Sequence, residues 1–206
     1  MTDGANARFL DDPEKFTNDC VLLVPTCPED VWRALMVNAE FDLRRDPKPT
    51  FKDPVYLLTT MARRGKDASE KTHPIPGAWV PYKDGGVVTA TLDVPAHPFF
   101  IFTDKLGGCG LGCTPQDGGK VKFVHDATVK LEAARGAAVR LLPDDYDTRD
   151  DSGVWRGLNT TGLAWWDGSH WRLLKCRTYN AVDPAVTQSG EDQYAVDLDW
   201  WKQHRQ

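Results

Sequence analysis

From Pro54 onward the chain is a succession of short apolar runs, rich in β-branched and aromatic residues, each soon cut off by Gly, Pro or Asp. PVYLLTT, AWVPY, VVTATLDV, FFIFT and KVKFVHDATV are too short for core helices and the right length for strands, so this region must fold as sheet. GLAWW and HWRLLKC flank Asp167-Gly168-Ser169, and Asp-Gly supplies the positive φ angles of a tight hairpin. Leu131–Leu142 (LEAARGAAVRLL) fits helix or strand, because Gly136 interrupts its helix-favouring Ala and Glu. Upstream, CVLLVP (Cys20 to Pro25) reads as a buried strand. Pro28 then opens a helix expected from Glu29 to about Phe41, with Val31, Trp32, Leu35, Met36 and Ala39 on its core face. The C-terminal EDQYAVDLDWWKQHR places Tyr194, Leu198 and Trp201 at helical spacing behind an acidic start, predicting a closing helix. With 206 residues and no internal repeat, the expectation is one α/β domain over residues 1–206: two mixed β-sheets packed as a sandwich with flanking helices.

Charge narrows the function classes. Thirty acidic and 25 basic residues give a net charge of −5, which disfavours non-specific binding to nucleic acid or to an anionic membrane. No run of apolar residues spans a bilayer, and MTDGANARFLDDPEKF does not read as a secretory leader. The expected location is the cytoplasm of the producing cell. Cys20, Cys27, Cys109, Cys113 and Cys176 are odd in number and irregularly spaced, which is not a disulfide framework. The question is whether one of these thiols does chemistry.

The richest segment is FFIFTDKLGGCGLGCTPQDGGKVKFVHDATV, Phe99 to Val129. Two strand-like runs enclose a connection with six glycines and Cys109 among them, and connections of this length are usually functional. Glycines let successive amide N–H groups converge on one point, which is how an oxyanion hole is built; Gly108 and Gly110 flank Cys109 and are its candidates. A cysteine there can attack a carbonyl or carboxamide carbon if a base takes its proton. On a strand of period two, His125 shares the apolar face of Val121 and Phe123, whereas Asp126 faces the other way and is poorly placed to orient the ring. Thr103, ending the preceding strand, is better placed if the two strands are neighbours. The plainer alternatives are a buried Cys109 and a satisfied core His125. Cys109, Cys113 and His125, completed by Cys176 or His170, also form a possible zinc set, though without a second paired knuckle. The tryptophans Trp165, Trp166, Trp171, Trp200 and Trp201 are either core or a stacking platform.

The LGGC motif, with a threonine six positions before its cysteine and a strand histidine after it, resembles the Cys-His protein glutamine deamidases. That family includes cytotoxic necrotizing factor, the Burkholderia lethal factor and chemotaxis deamidases. The likeness covers about thirty residues, FFIFTDKLGGC and GGKVKFVHDA above all, and departs from the lethal-factor pattern at the second position of the motif, Gly107 before Gly108, where a serine is more familiar, and at the additional Cys113. Carried over residue by residue, it implies Cys109 as nucleophile, His125 as base and Thr103 as the group that orients the imidazole. It implies hydrolysis of a protein glutamine to glutamate through a Cys thioester, without metal or organic cofactor. The expected partner is a protein substrate bearing a reactive glutamine, met by a monomeric bacterial toxin or effector in a host cytosol. The family's targets include a translation-initiation helicase and Rho-type GTPases. Cys113 is expected to be able to oxidise with Cys109 and switch the site off. Two other readings remain open: a chemoreceptor deamidase, and a non-enzymatic binding module that uses the Trp-rich hairpin.

Overall fold

The computed structural model describes residues 4–24, 35–45, 54–60, 73–94, 98–146, 158–177 and 179–180. The chain opens with two short helices, α1 (Ala5–Asp11) and α2 (Pro13–Asp19). Asp12 separates them, its side chain accepting from the Lys15 N–H with Pro13 at the first helical position. Strands β1 (Val21–Leu23), β2 (Met36–Arg45), β3 (Val55–Thr60), β4 (Ile75–Val80), β5 (Val87–Asp93) and β6 (Phe99–Thr103) follow. Next come β7 (Gly110–Gln116), β8 (Lys120–Asp126), α3 (Glu132–Arg135), β9 (Val139–Leu141) and α4 (Pro143–Tyr146). The described chain closes with β10 (Leu158–Asn159), β11 (Gly162–Trp166), β12 (Trp171–Lys175) and β13 (Tyr179–Asn180).

Seven strands form one mixed sheet in the order β1-β3-β2-β4-β6-β11-β12, and four form an antiparallel sheet in the order β5-β8-β7-β9; β10 and β13 pair separately. In the larger sheet β1 runs parallel to β3, and β4 parallel to β6. Period-two alternation divides its side chains between two cores. Ile75, Trp79, Phe100, Phe102, Leu163 and Leu174 face one core with Phe9 and Phe16 of the helices; Ala78, Val80, Phe99, Ile101 and Ala164 face the other with Leu92, Leu111, Phe123 and Leu141 of the smaller sheet. The larger sheet is thus covered by helices on one face and by the second sheet on the other. This is the α/β sandwich with flanking helices that the strand pattern predicts. Among the described residues no helix is long and apolar enough to cross a membrane.

Several expectations are corrected. The helix expected from Glu29 to Phe41 is strand β2 from Met36 onward, while residues 29–34 lie outside those described. Its misleading spacing has a cause: the β2–β4 register shifts between Met36 and Ala39, with Asn38 at φ 52°. That bulge inserts one residue, so Met36 and Ala39 both pack on the same core at a spacing of three, as they would on a helix. The N-terminal helices come instead from ANARFLD and PEKFTND, which bury Phe9 against Phe100 (4.6 Å between ring centroids) and Phe16 against Tyr56 (4.9 Å). Leu131–Leu142 is neither helix nor strand throughout but α3 followed by β9. The expected C-terminal helix lies outside the described residues.

Candidate active site

The glycine-rich connection is mostly strand. Gly110–Gln116 is β7, which turns through Asp117, Gly118 and Gly119 into β8; Gly118 and Gly119 take φ near +73° and +72°. The reason glycine sits inside a strand lies on the outer face of β7, where α3 packs directly. A Cβ on Gly110 would stand 2.6 Å from the Ala134 Cβ, and one on Gly112 2.4 Å from the Ala137 Cβ. These glycines admit a helix rather than loosen a loop.

The segment that remains irregular, Asp104 to Cys109, is tightly held. Leu106 exchanges two backbone hydrogen bonds with Thr160, at 2.7 and 3.0 Å, and its side chain is fully buried. The Tyr146 hydroxyl at the end of α4 donates to the Cys109 carbonyl. Gly108 adopts φ 137°, a conformation that favours glycine, immediately before Cys109. Nothing in the motif itself points to Tyr146 or Thr160. Only their position on elements packed around the loop brings them there.

Register fixes what faces what. Leu111 and Val88 lie opposite His125 on the two flanking strands, and Cys113 and Ala90 lie opposite Phe123. Odd-numbered residues of β7 and β8 therefore point into the core between the sheets, and Cys109 extends the Leu111–Cys113 series one step beyond the strand end. It belongs to that core and is 9% exposed. Cys109 thus stands diagonally across from His125 on one face, in the relation that lets cross-strand side chains meet.

Thr103 completes the arrangement from the opposite sheet. It continues the inward series Phe99, Ile101 on β6, and its Oγ1 lies 2.6 Å from Nδ1 of His125. This hydrogen bond bridges the two sheets. Nε2 of His125 is buried and makes no hydrogen bond among the described residues. Burial pulls the His125 pKa down to about 4, against an opposing pull from the neighbouring Asp126 charge, so the imidazole is neutral at pH 7. Asp126 faces away, as its position in the strand predicts. Its carboxylate accepts from Thr128 N and Oγ1 and from the Ala133 and Ala134 amides of α3. Burial raises the Asp126 pKa, but these four donors outweigh it and hold the carboxyl below its usual range.

Tyr82, which the motif does not contain, lies against the site. Its ring centroid is 5.3 Å from that of His125. Burial, its bond to Asp84 and the nearby Cys109, Asp84 and Asp104 charges push its hydroxyl well above the ordinary phenol range. Asp104, next to Thr103, is also raised by burial, partly offset by the Lys105 amide and charge.

Two expectations about cysteine change. Gly110 to Cys113 is three extended residues, about 10 Å of strand, and Cys109 lies farther still, so the two thiols cannot meet in a disulfide while β7 stays paired. None of Cys20, Cys109, Cys113 and Cys176 is in a disulfide; Cys27 lies outside the described residues. The zinc set is not assembled either. Cys176 lies beside Cys20 in the helix-side core, away from Cys109 and Cys113 between the sheets, and no three potential ligands converge among the described residues. Of the tryptophans, Trp165 stacks on Phe100 at 8° under the Arg172 guanidinium, and Trp166 packs on Trp171, so they extend the two cores. Trp200 and Trp201 lie outside the described residues.

The sandwich thus buries a cysteine, a neutral histidine and a threonine together between its sheets. No protein-family model matches the chain, and no curated protein matches its sequence.

Proposed function

We propose that this protein is a glutamine deamidase that hydrolyses the side-chain carboxamide of a protein substrate through Cys109. The observation that carries the reading is the hydrogen bond between Thr103 and His125 Nδ1 across the two sheets, with Cys109 on the same inter-sheet face as the imidazole. In the tautomer the chemistry requires, Nδ1–H donates to Thr103 Oγ1 and leaves the Nε2 lone pair as base. A neutral His125 is already in the protonation state that accepts a proton, and a thiolate forming beside it restores part of the basicity that burial removes.

His125 Nε2 takes the thiol proton while Cys109 Sγ bonds to the carboxamide carbon, whose oxygen becomes an oxyanion. The amides of Cys109 and of Gly108 or Gly110 are the candidate donors to that oxygen. Collapse re-forms the carbonyl and breaks the C–N bond, and His125 returns its proton to the nitrogen, so that ammonia leaves and a thioester remains. His125 then deprotonates water, which attacks the thioester; the C–S bond breaks and Cys109 recovers its proton. Glutamine and water have become glutamate and ammonia, and no metal or organic cofactor enters the balance.

The resemblance of LGGC and GGKVKFVHDA to the Cys-His deamidases supports a toxin or effector role in a host cytosol. The proposed targets are a translation-initiation helicase or a Rho-type GTPase, and the proposed working form is a monomer. The test is peptide mass spectrometry of a mammalian cytosolic extract incubated with the protein or with Cys109→Ser. Gains of about one dalton at glutamine, seen with the native protein only, are the expected result. Equal spectra from two folded, reduced proteins would overturn the mechanism for that extract.

A further inference from the structure

Tyr82 has no place in the motif, yet it is the solvent-side neighbour of the buried histidine. It sits in the turn joining β4 to β5, which is pinned at its Gly86 end. Gly86 N–H donates to the Lys83 carbonyl at 3.1 Å across Gly85 at φ 59°, and the Ala127 N–H, two residues after His125, donates to the Gly86 carbonyl at 2.9 Å. The phenol ring is tilted 56° to the imidazole with centroids 5.3 Å apart, and its hydroxyl donates to Asp84 Oδ1 at 2.8 Å. Tyr82 is 38% exposed where His125 is 1% exposed. A partly exposed aromatic ring therefore packs beside the buried imidazole, with its hydroxyl tied to Asp84.

We propose that Tyr82 is a positioning residue of the deamidase site: its ring, anchored by Asp84, shields His125 from water and forms the wall on which the two methylenes of the substrate glutamine pack as the carboxamide reaches Cys109. The inference rests on the deamidase reading given above. A glutamine stem is apolar and flat against an aromatic face, and its burial there excludes water from the thioester's surroundings until hydrolysis. Among the described residues the groups around His125 are few. Val88 of β5 and Leu111 of β7 do not titrate, Thr103 of β6 holds Nδ1, Asp126 follows it on β8 and turns to α3, and Cys109, Tyr82 and, beyond the tyrosine, Asp84 and Asp104 complete the surroundings. Removing the ring changes the hydration of the imidazole without removing a charge.

The experiment uses the full chain and two readouts. One is the His125 titration followed by NMR in the native protein, Tyr82→Phe, Tyr82→Ala and Tyr82→Leu. The other is alkylation of Cys109 by a glutamine-derived chloromethyl ketone, in which Sγ displaces chloride, compared with iodoacetamide, which has no stem. In the Ala variant the His125 pKa should rise from about 4 by about one unit or more. The stem-bearing reagent should lose about tenfold in rate relative to iodoacetamide. The Phe variant keeps the ring and should keep both native values, and the Leu variant should change in the same direction by less. An unchanged titration and an unchanged reagent ratio in a folded Ala or Leu variant would overturn the proposal even if deamidation persists. Failure of the deamidase reading shows differently, as native protein and Cys109→Ser giving equal glutamine spectra while the His125 titration still responds to Tyr82.

Discussion

A buried histidine whose Nδ1 is engaged and whose ring is neutral makes stability depend on pH. His125 titrates at about 4 in the folded chain and near 6.5 when unfolded. Between these values the unfolded chain binds the proton and the folded chain does not, so stability falls as pH drops from about 6.5 towards 4 and levels off below, a loss of roughly 3 kcal/mol. Urea unfolding of the native protein and His125→Gln across this window checks it; the native slope should flatten in the variant. Thr103→Val removes the hydrogen-bond partner of Nδ1 and leaves a buried polar atom unsatisfied, at a cost of about 1–3 kcal/mol. The same change lets the ring rotate, so kcat on the identified substrate should fall by tenfold or more while the far-UV spectrum stays native. Retained kcat would show that Thr103 does not orient the base.

At the scale of elements, the contact that shapes the site is α3 on β7. Asp126 holds the first amides of α3, and the two glycines of β7 let the helix approach within Cβ contact. Gly112→Ala places a methyl where Ala137 already stands, and overpacking of this kind costs about 1–3 kcal/mol. Gly112→Ala combined with Ala137→Gly should recover most of that loss, because the clash is between these two side chains. Chemical denaturation of the two single variants and the double variant measures the coupling; strictly additive losses would mean that β7 itself, not α3, resists the methyl. The strand runs themselves were legible: β3, β5, β6 and β8 and the β11–β12 hairpin fall where alternation and turn residues put them. Elements whose pattern is set by a distant partner were not. The β2 bulge mimics a helical spacing, and the glycines of β7 read as loop because the helix that needs their smallness lies twenty residues on.

For the whole molecule, the larger sheet is the partition. The Cys20 and Cys176 thiols lie in contact in the helix-side core, and Cys113 lies between the sheets, where burial pushes its thiol up. Low-dielectric burial suppresses the thiolate, the reactive form. Pulsed alkylation with mass spectrometry should therefore leave Cys20, Cys113 and Cys176 unlabelled until global unfolding and then label all three in the same transition. Labelling of Cys113 well before or after the Cys20 and Cys176 pair would show that the two cores open separately.

Everything that depends on near neighbours was legible in the chain: period-two burial, the turn at Asp167-Gly168, the apolar side on which His125 lies and the side on which Asp126 lies. The motif also singled out Cys109, His125 and Thr103. Which strands meet came only with the folded chain: the pairing of β7 with β8 that sets Cys109 diagonal to His125, the packing of the two sheets that carries Thr103 to Nδ1, and the turn that sets Tyr82 beside the imidazole. The physical reason is that local propensity follows from each residue's own chemistry and its immediate alternation. Contacts between residues distant along the chain are set by the burial of two cores at once, which no single segment encodes.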